Sequence, residues 1–341
     1  MRESWIDRWR GILMLCIVAF HVMGAMVPCC DGDANNTLTF FIDRLGMFHT
    51  KGFFVISGML WRPGISFGWF LKRRAGRLLV PYFIFGFAWA LLYVVLCNYF
   101  QSLAVTDVQS NDLTFWQPFV SVLLADGWPN GMGFRVINAL WFLPCLFWVE
   151  IFYYWIDRFI PIKYCQLALL PVCFAIDGWI AKPDIFWSLN LVPRFLLFFI
   201  VGRVFLGKDV FLRMKFITKV VTSTLLIVAI YHVPIVKNLA FYIGVQPWSD
   251  IIRGICGIIA CALISQMIPS DIMVTLGKST IGILVTHKAF ILALQLFNVR
   301  FSSCYIALAS SVIVSAVVCA LSLIATCFLR KWCKWALGEL T

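Results

Sequence analysis

Apolar runs long enough to cross a bilayer recur along this chain from Gly11 to Leu329, and this recurrence constrains the fold more than any other feature. A spanning helix needs about 20 mostly apolar residues, because the hydrocarbon core is about 30 Å thick and each helical residue rises about 1.5 Å. Ten runs read as spans: Gly11–Pro28, Gly46–Trp61, Leu78–Tyr99, Val136–Ile156, Tyr164–Ile180, Leu189–Phe205, Phe216–Val236, Ile251–Ile268, Leu276–Phe297 and Cys304–Leu329. The expected fold is therefore all-α, a polytopic membrane helix bundle of about 10 helices forming a single domain over 1–341. Hydrophobic types make up 62% of the 341 residues and charged types 13%. Soluble proteins hold roughly 45–50% and about 25%, so a disordered chain is excluded, and the spread of apolar runs argues against a soluble enzyme on one anchor. The second run is short and holds Gly52 and Gly58, which suggests a tilted or broken helix. Pro144, inside the fourth, predicts a kink.

Charge orients the bundle. With the N-terminus inside, most of the 28 Lys and Arg fall on the inner side, among them Arg8, Arg10, Arg62, Lys72–Arg77, Lys278 and Arg330. Asp31, Asp33, Asp43, Asp177 and Asp250 fall outside. This bias supports an even number of spans with both termini cytoplasmic. The net charge of +12 then needs no nucleic acid, since basic clusters beside apolar runs read as contacts to lipid headgroups or phosphates. The longest connection, Asn98–Arg135, is placed outside, and its length points to function. Most cysteines sit inside apolar runs as small hydrophobes, and none has metal-ligand spacing. The first run lacks an A-x-A-like cleavage site and contains a histidine, which argues against a cleavable signal peptide.

Ionisable groups inside a bilayer are costly and usually functional. His21 lies eleven residues beyond Arg10, about 16 Å along a helix and so near mid-bilayer. His49 falls in the first turn of the second run, Glu150 within the fourth and His287 within the ninth. Each has a plainer reading: a membrane histidine can brace two helices, and Glu150 can serve as the partner of a buried base. Arg73 and Arg77 are four apart and share a helical face, just before Pro81. Two guanidinium forks at the inner surface suit a phosphate-rich ligand, either a lipid headgroup or a nucleotide-bearing cofactor such as coenzyme A. No glycine-rich P-loop or GxGxxG follows a strand, which excludes the ATP and NAD folds.

Several segments resemble one family in order along the chain. Trp5-Ile6-Asp7-Arg8-Trp9-Arg10-Gly11, followed by an apolar run to His21, resembles the opening of the acyltransferase 3 family of integral-membrane O-acyltransferases. Phe48-His49-Thr50-Lys51-Gly52-Phe53-Phe54-Val55-Ile56-Ser57-Gly58 is similar to its second-helix motif, especially in the fucose 4-O-acetylase-like branch, although Thr50-Lys51 replaces a common Met-Pro pair. Lys72-Arg73-Arg74-Ala75-Gly76-Arg77, with Pro81 after it, resembles its RxxxR segment. Leu140-Trp141-Phe142-Leu143 and Leu276-Gly277-Lys278-Ser279 through His287 resemble later motifs.

The resemblance implies a cytoplasmic acyl-CoA donor, usually acetyl-CoA, and a hydroxyl of a surface polysaccharide or lipid-linked glycan as acceptor, with no metal, in a bacterial inner membrane. It implies that His21 is catalytic and that Arg73 and Arg77 hold the coenzyme A phosphates, a set to which Arg10 is added. Glu150 and His49 are expected to assist His21, and Ser57, Trp141 and His287 to face substrate. A neutral imidazole takes the hydroxyl proton as the oxygen attacks the thioester, or else carries the acyl group itself. Glu150 is expected to orient the imidazole, while Ser57, Trp141 or a backbone N–H stabilises the oxyanion. The rival classes are a glycan or lipid transporter or flippase, which moves substrate without consuming acyl-CoA, and a non-catalytic membrane sensor.

Overall fold

The computed structural model describes residues 3–99, 115–125, 139–180, 186–206, 213–232, 248–295 and 299–339, and these are helical with short connections. The helices are α1 (Ser4–Met26), α2 (Gly32–Gly46), α3 (His49–Met59), α4 (Phe67–Arg74), α5 (Val80–Tyr99), α6 (Gln117–Leu124) and α7 (Phe142–Phe159). Then come α8 (Leu169–Ile180), α9 (Val192–Phe205), α10 (Phe216–His232), α11 (Trp248–Met267), α12 (Asp271–Lys278), α13 (Thr280–Gln295) and α14 (Cys304–Trp332). Among the described residues five helical stretches are long and apolar enough to cross a membrane: Ser4–Cys29, Phe67–Leu92, Trp187–Phe205, Ser249–Met267 and Cys304–Trp332. Three shorter apolar helices accompany them, Cys165–Asp177, Phe216–His232 and Thr280–Leu294.

Several expected boundaries move. The second run is a helix of 11 residues, α3, preceded by a break at Met47–Phe48 and by α2, which fills most of the interval between the first two runs. The ninth run splits at Ser279, so its long helix starts at Thr280. The third begins earlier than Leu78, since α4 continues through one π turn, Ala75–Leu79, into α5. Pro144 sits in the first turn of α7, where a missing N–H costs nothing, so the sequence-based expectation of a kink falls away. Of the connection Asn98–Arg135, the described part contains α6; residues 100–114 and 126–138 lie outside the described residues, as do 233–236 of the seventh run.

α1 is the hub. It packs against α2, α3, α11, α12, α13 and α14. Two crossings are exceptionally close because glycine stands at each contact. A Cβ on Gly11 would collide with the Met273 carbonyl of α12, and one on Gly277 of α12 would collide with the Asp7 carbonyl of α1. The α3–α9 crossing is built alike, with Gly58 against the Phe199 carbonyl and Gly202 against the Val55 carbonyl. Between apolar helices in lipid the hydrophobic effect offers little, so close backbone approach over small residues is a principal source of association. Around these crossings, Trp9, Leu13, Phe54, Ile56, Phe198 and Phe199 are fully buried.

Gly58→Leu and Gly277→Leu are therefore expected to force their helix pairs apart and to destabilise the protein by about 1–3 kcal/mol or more. Gly24→Leu, at a position where a Cβ meets nothing within 4 Å, serves as the control. Thermal unfolding in detergent checks this: both crossing variants unfold well below the control.

Candidate active site

One end of the bundle encloses a cavity of about 760 Å³ whose wall is strongly basic. α1 supplies Arg10, the helix through the π turn supplies Arg73, Arg74 and Arg77, and Arg62 precedes it. Lys278 at the end of α12 and Arg330 near the end of α14 complete the basic wall. The lining carboxylates are Glu150 and Glu339, and the apolar floor includes Phe53, Ile56, Phe142 and Ile281, with Ser57 among them.

Local structure explains how these cations gather. A π turn is wider than an α turn, and such turns often mark functional sites. Here it lets three arginines of one short segment reach the same cavity. Arg73 stacks on Trp69, its guanidinium carbon 4.8 Å from the ring centre. Arg74 Nε lies 3.1 Å from Glu150 Oε2. Arg330 is held rigidly: its Nε and Nη2 donate to the Glu339 carboxylate at 2.7–3.1 Å, its Nη1 to Ser279 Oγ at 3.0 Å, and its Nη2 to the Lys278 carbonyl at 2.6 Å. The final turn closes this wall at Gly338, whose φ of +67° favours glycine and whose missing Cβ leaves room for the Arg77 backbone.

Deeper in the bundle three histidines from three helices meet. The rings of His21 on α1 and His287 on α13 are 5.2 Å apart, tilted by 40°. Phe20 bridges to α3, its ring 5.2 Å from His21 and 4.8 Å from His49. His287 is fully buried, and its Nδ1 lies 2.9 Å from the Ile283 carbonyl. A carbonyl only accepts, so Nδ1 carries the proton and, in the neutral ring, Nε2 keeps its lone pair. His49 Nδ1 is 2.6 Å from Thr50 Oγ1. Nε2 of both His49 and His287 is buried with no hydrogen-bond partner among the described residues. Lys288 and His49 are near enough to act on His21 electrostatically. Among the described residues no group of three or more His, Cys, Asp or Glu side chains is arranged to hold a metal ion.

Cavity and histidines share helices but do not merge. On α3, Phe53 lines the cavity and His49 lies four residues away, about 6 Å. On α13, Ile281 lines it and His287 is six residues on, about 9 Å. Buried Leu13, Met14, Ile17 and Val18 of α1 occupy the interval between Arg10 and His21.

The residues singled out in the sequence thus fall into two groups. Arg10, Arg73, Arg77, Ser57 and Glu150 line the cavity, while His49 and His287, both buried, and the partly exposed His21 form the histidine cluster. Trp141 joins neither; its ring packs 5.3 Å from Phe195 and 6.5 Å from Phe142. The expectation that Glu150 orients His21 is corrected, because its carboxylate faces Arg74 and, electrostatically, Arg77. Arg62, Arg74, Lys278 and Arg330 were legible only as inner-side charge, and nothing in the sequence brings Arg330 to Ser279 across 51 positions.

Comparison with curated proteins and with solved structures gives no match. A family model described as an acyltransferase domain matches residues 3–329, which is nearly the whole chain. With apolar helices of spanning length and that match, this chain is a membrane acyltransferase and belongs to the acyltransferase 3 family.

Proposed function

We propose that this protein transfers an acyl group, usually acetyl, from cytoplasmic acyl-CoA to a hydroxyl of a cell-surface or lipid-linked glycan in a bacterial inner membrane. The observation that carries the reading is the pairing of a basic cavity with a histidine cluster on the same three helices, α1, α3 and α13. A donor bearing several phosphates suits a wall of Arg10, Arg73, Arg74 and Arg77, since guanidinium forks bind phosphate through paired charge-assisted hydrogen bonds. Both termini lie on the cytoplasmic side in this reading, with about ten spans in all, and the cavity opens there.

The chemistry then runs between the two groups. An acceptor hydroxyl is a poor nucleophile at neutral pH. As its oxygen forms the new ester bond to the thioester carbonyl carbon, a neutral His21 takes its proton and the carbon–sulfur bond breaks. The proton returns to the departing thiolate, which leaves as free coenzyme A. General base catalysis of this kind contributes about 10²–10⁴-fold. Nε2 of His287 and of His49, both without a hydrogen-bond partner among the described residues, are candidates to orient the His21 ring or relay its proton, His287 directly and His49 across Phe20. Ser57, on the cavity floor and about 12 Å along α3 from His49, faces the donor and not the developing oxyanion.

His21→Ala is expected to lower the rate of acyl transfer by about 10²–10⁴-fold while folded protein is recovered in normal amount. The check is free thiol released from acetyl-CoA together with a one-acetyl mass increase in surface glycan. Glycan movement with no thiol release would instead identify a flippase. Arg73→Ala combined with Arg77→Ala is expected to raise KM for acyl-CoA by roughly 10–100-fold for each charged contact removed, with little change in KM for the acceptor. Steady-state kinetics varying each substrate separately reads the split; an unchanged KM for acyl-CoA rejects the donor site.

A further inference from the structure

A second set of charged side chains converges outside the cavity, around Lys51 and Asp250. Lys51 of α3 is 6% exposed, and its Nζ stands 5.3 Å from the Phe198 ring centre. Its stem runs past Gly254 of α11, where a Cβ would lie 3.3 Å from Lys51 Cδ. Asp250, one turn earlier on α11, acts electrostatically on Lys51, Arg253 and Arg194. Arg194 of α9 reaches Asp177 of α8, with Nε 3.1 Å from each carboxylate oxygen. Asp43 and Arg44 at the end of α2 are within electrostatic reach of Arg253. Five helices therefore bring charge to one region of the bundle.

This set is incompletely satisfied. Arg253 is 1% exposed, yet its Nε and Nη1 have no hydrogen-bond partner among the described residues. Asp250 Oδ1 and Arg44 Nε are in the same condition. A buried guanidinium left unmet is a heavy penalty, which a ligand that accepts hydrogen bonds removes. Among the described residues, once Arg194 and Asp177 cancel, Arg44, Lys51 and Arg253 stand within electrostatic reach of Asp43 and Asp250, with one formal positive charge over. Unmet donors beside an unmet carboxylate oxygen suit a ligand with hydroxyls, and the leftover charge suits an anion on it.

We propose that this cluster is the acceptor-recognition site and that it selects a sugar carrying an anionic group, a uronate carboxylate or a phosphate. Lys51 is within electrostatic reach of His49, and Phe20 connects His49 to His21, so a sugar held at this cluster would lie beside the histidines. The proposal rests on the acyl-transfer reading above.

Binding of glucuronosyl-glucose, glucose 6-phosphate and cellobiose to the full-length protein in detergent, by calorimetry, tests it, with coenzyme A titrated in parallel. At least one anionic sugar is expected to bind ten-fold or more tightly than cellobiose, and the stronger of the two identifies the anion. Arg253→Gln should narrow that preference to within two-fold, Arg253→Lys should retain most of it, and coenzyme A affinity should stay constant. Should Arg253→Gln lose coenzyme A affinity through misfolding, Lys51→Met must narrow the preference in its place. Coenzyme A binding with no preference for the anionic sugars, or a preference that survives these substitutions, overturns the proposal. Failure of the unaltered protein to bind coenzyme A refutes the donor reading instead.

Discussion

The interior of a bilayer offers a polar side chain no water, so every such group must be enclosed by neighbouring helices or left unpaired at high cost. This constraint decides where chemistry can sit in the molecule. α1 carries both Arg10 and His21, which lie eleven residues apart and so on one face of the helix, and it packs against six other helices. At the hub, Arg10 faces the cavity, and His21 meets the rings of Phe20 on α1 and His287 on α13.

The close glycine crossings turn that enclosure into a defined site. Gly277 against Asp7 presses α12 onto the start of α1, and this brings Lys278 to the cavity wall beside Arg10. Gly58 and Gly202 bring α3 onto α9, which fixes Ser57 and Phe53 as floor and Phe199 as backing. The final turn adds the last side, with Leu337 buried and Glu339 holding Arg330. Apolar helices lack directional side-chain bonds, so backbone contact over glycine supplies the precision that hydrogen bonds supply elsewhere.

Periodic apolarity made the helical class, the first helix and the last helix readable, because a run such as Cys304–Leu329 has few other ways to satisfy its backbone in lipid. Hidden features depended on tertiary context. α2 is amphipathic and short, and its Asn and Asp residues read as loop until α1 and α14 are present to receive Ala34 and Leu38. The break at Ser279 carries no proline; Arg330 holds Ser279 Oγ and the Lys278 carbonyl there, and Gly277 just before it packs on the Asp7 carbonyl of α1. For the site, helical spacing brought Arg73 and Arg77 into one group, and approximate depth placed His21 near His287. Depth alone does not say which helices adjoin, and so Glu150 was matched with His21 when its neighbour is Arg74.

The apolar interval between cavity and histidines has a chemical consequence under acyl transfer. A thioester is susceptible to water as well as to an acceptor hydroxyl, and water is far more abundant. A basic vestibule open to solvent throughout would hold the donor's phosphates but would also expose its carbonyl to hydrolysis. Leu13, Ile17 and Val18 on α1, with Phe53 on α3, interpose hydrocarbon between the charged wall and the histidine rings. Only a slender, largely uncharged arm extending from the phosphates can pass between such side chains, and excluding water there strengthens each remaining electrostatic interaction. Holding charge at the mouth and keeping the reacting atoms dry are opposite demands, and the separation of about 16 Å between Arg10 and His21 along one helix lets a single fold meet both.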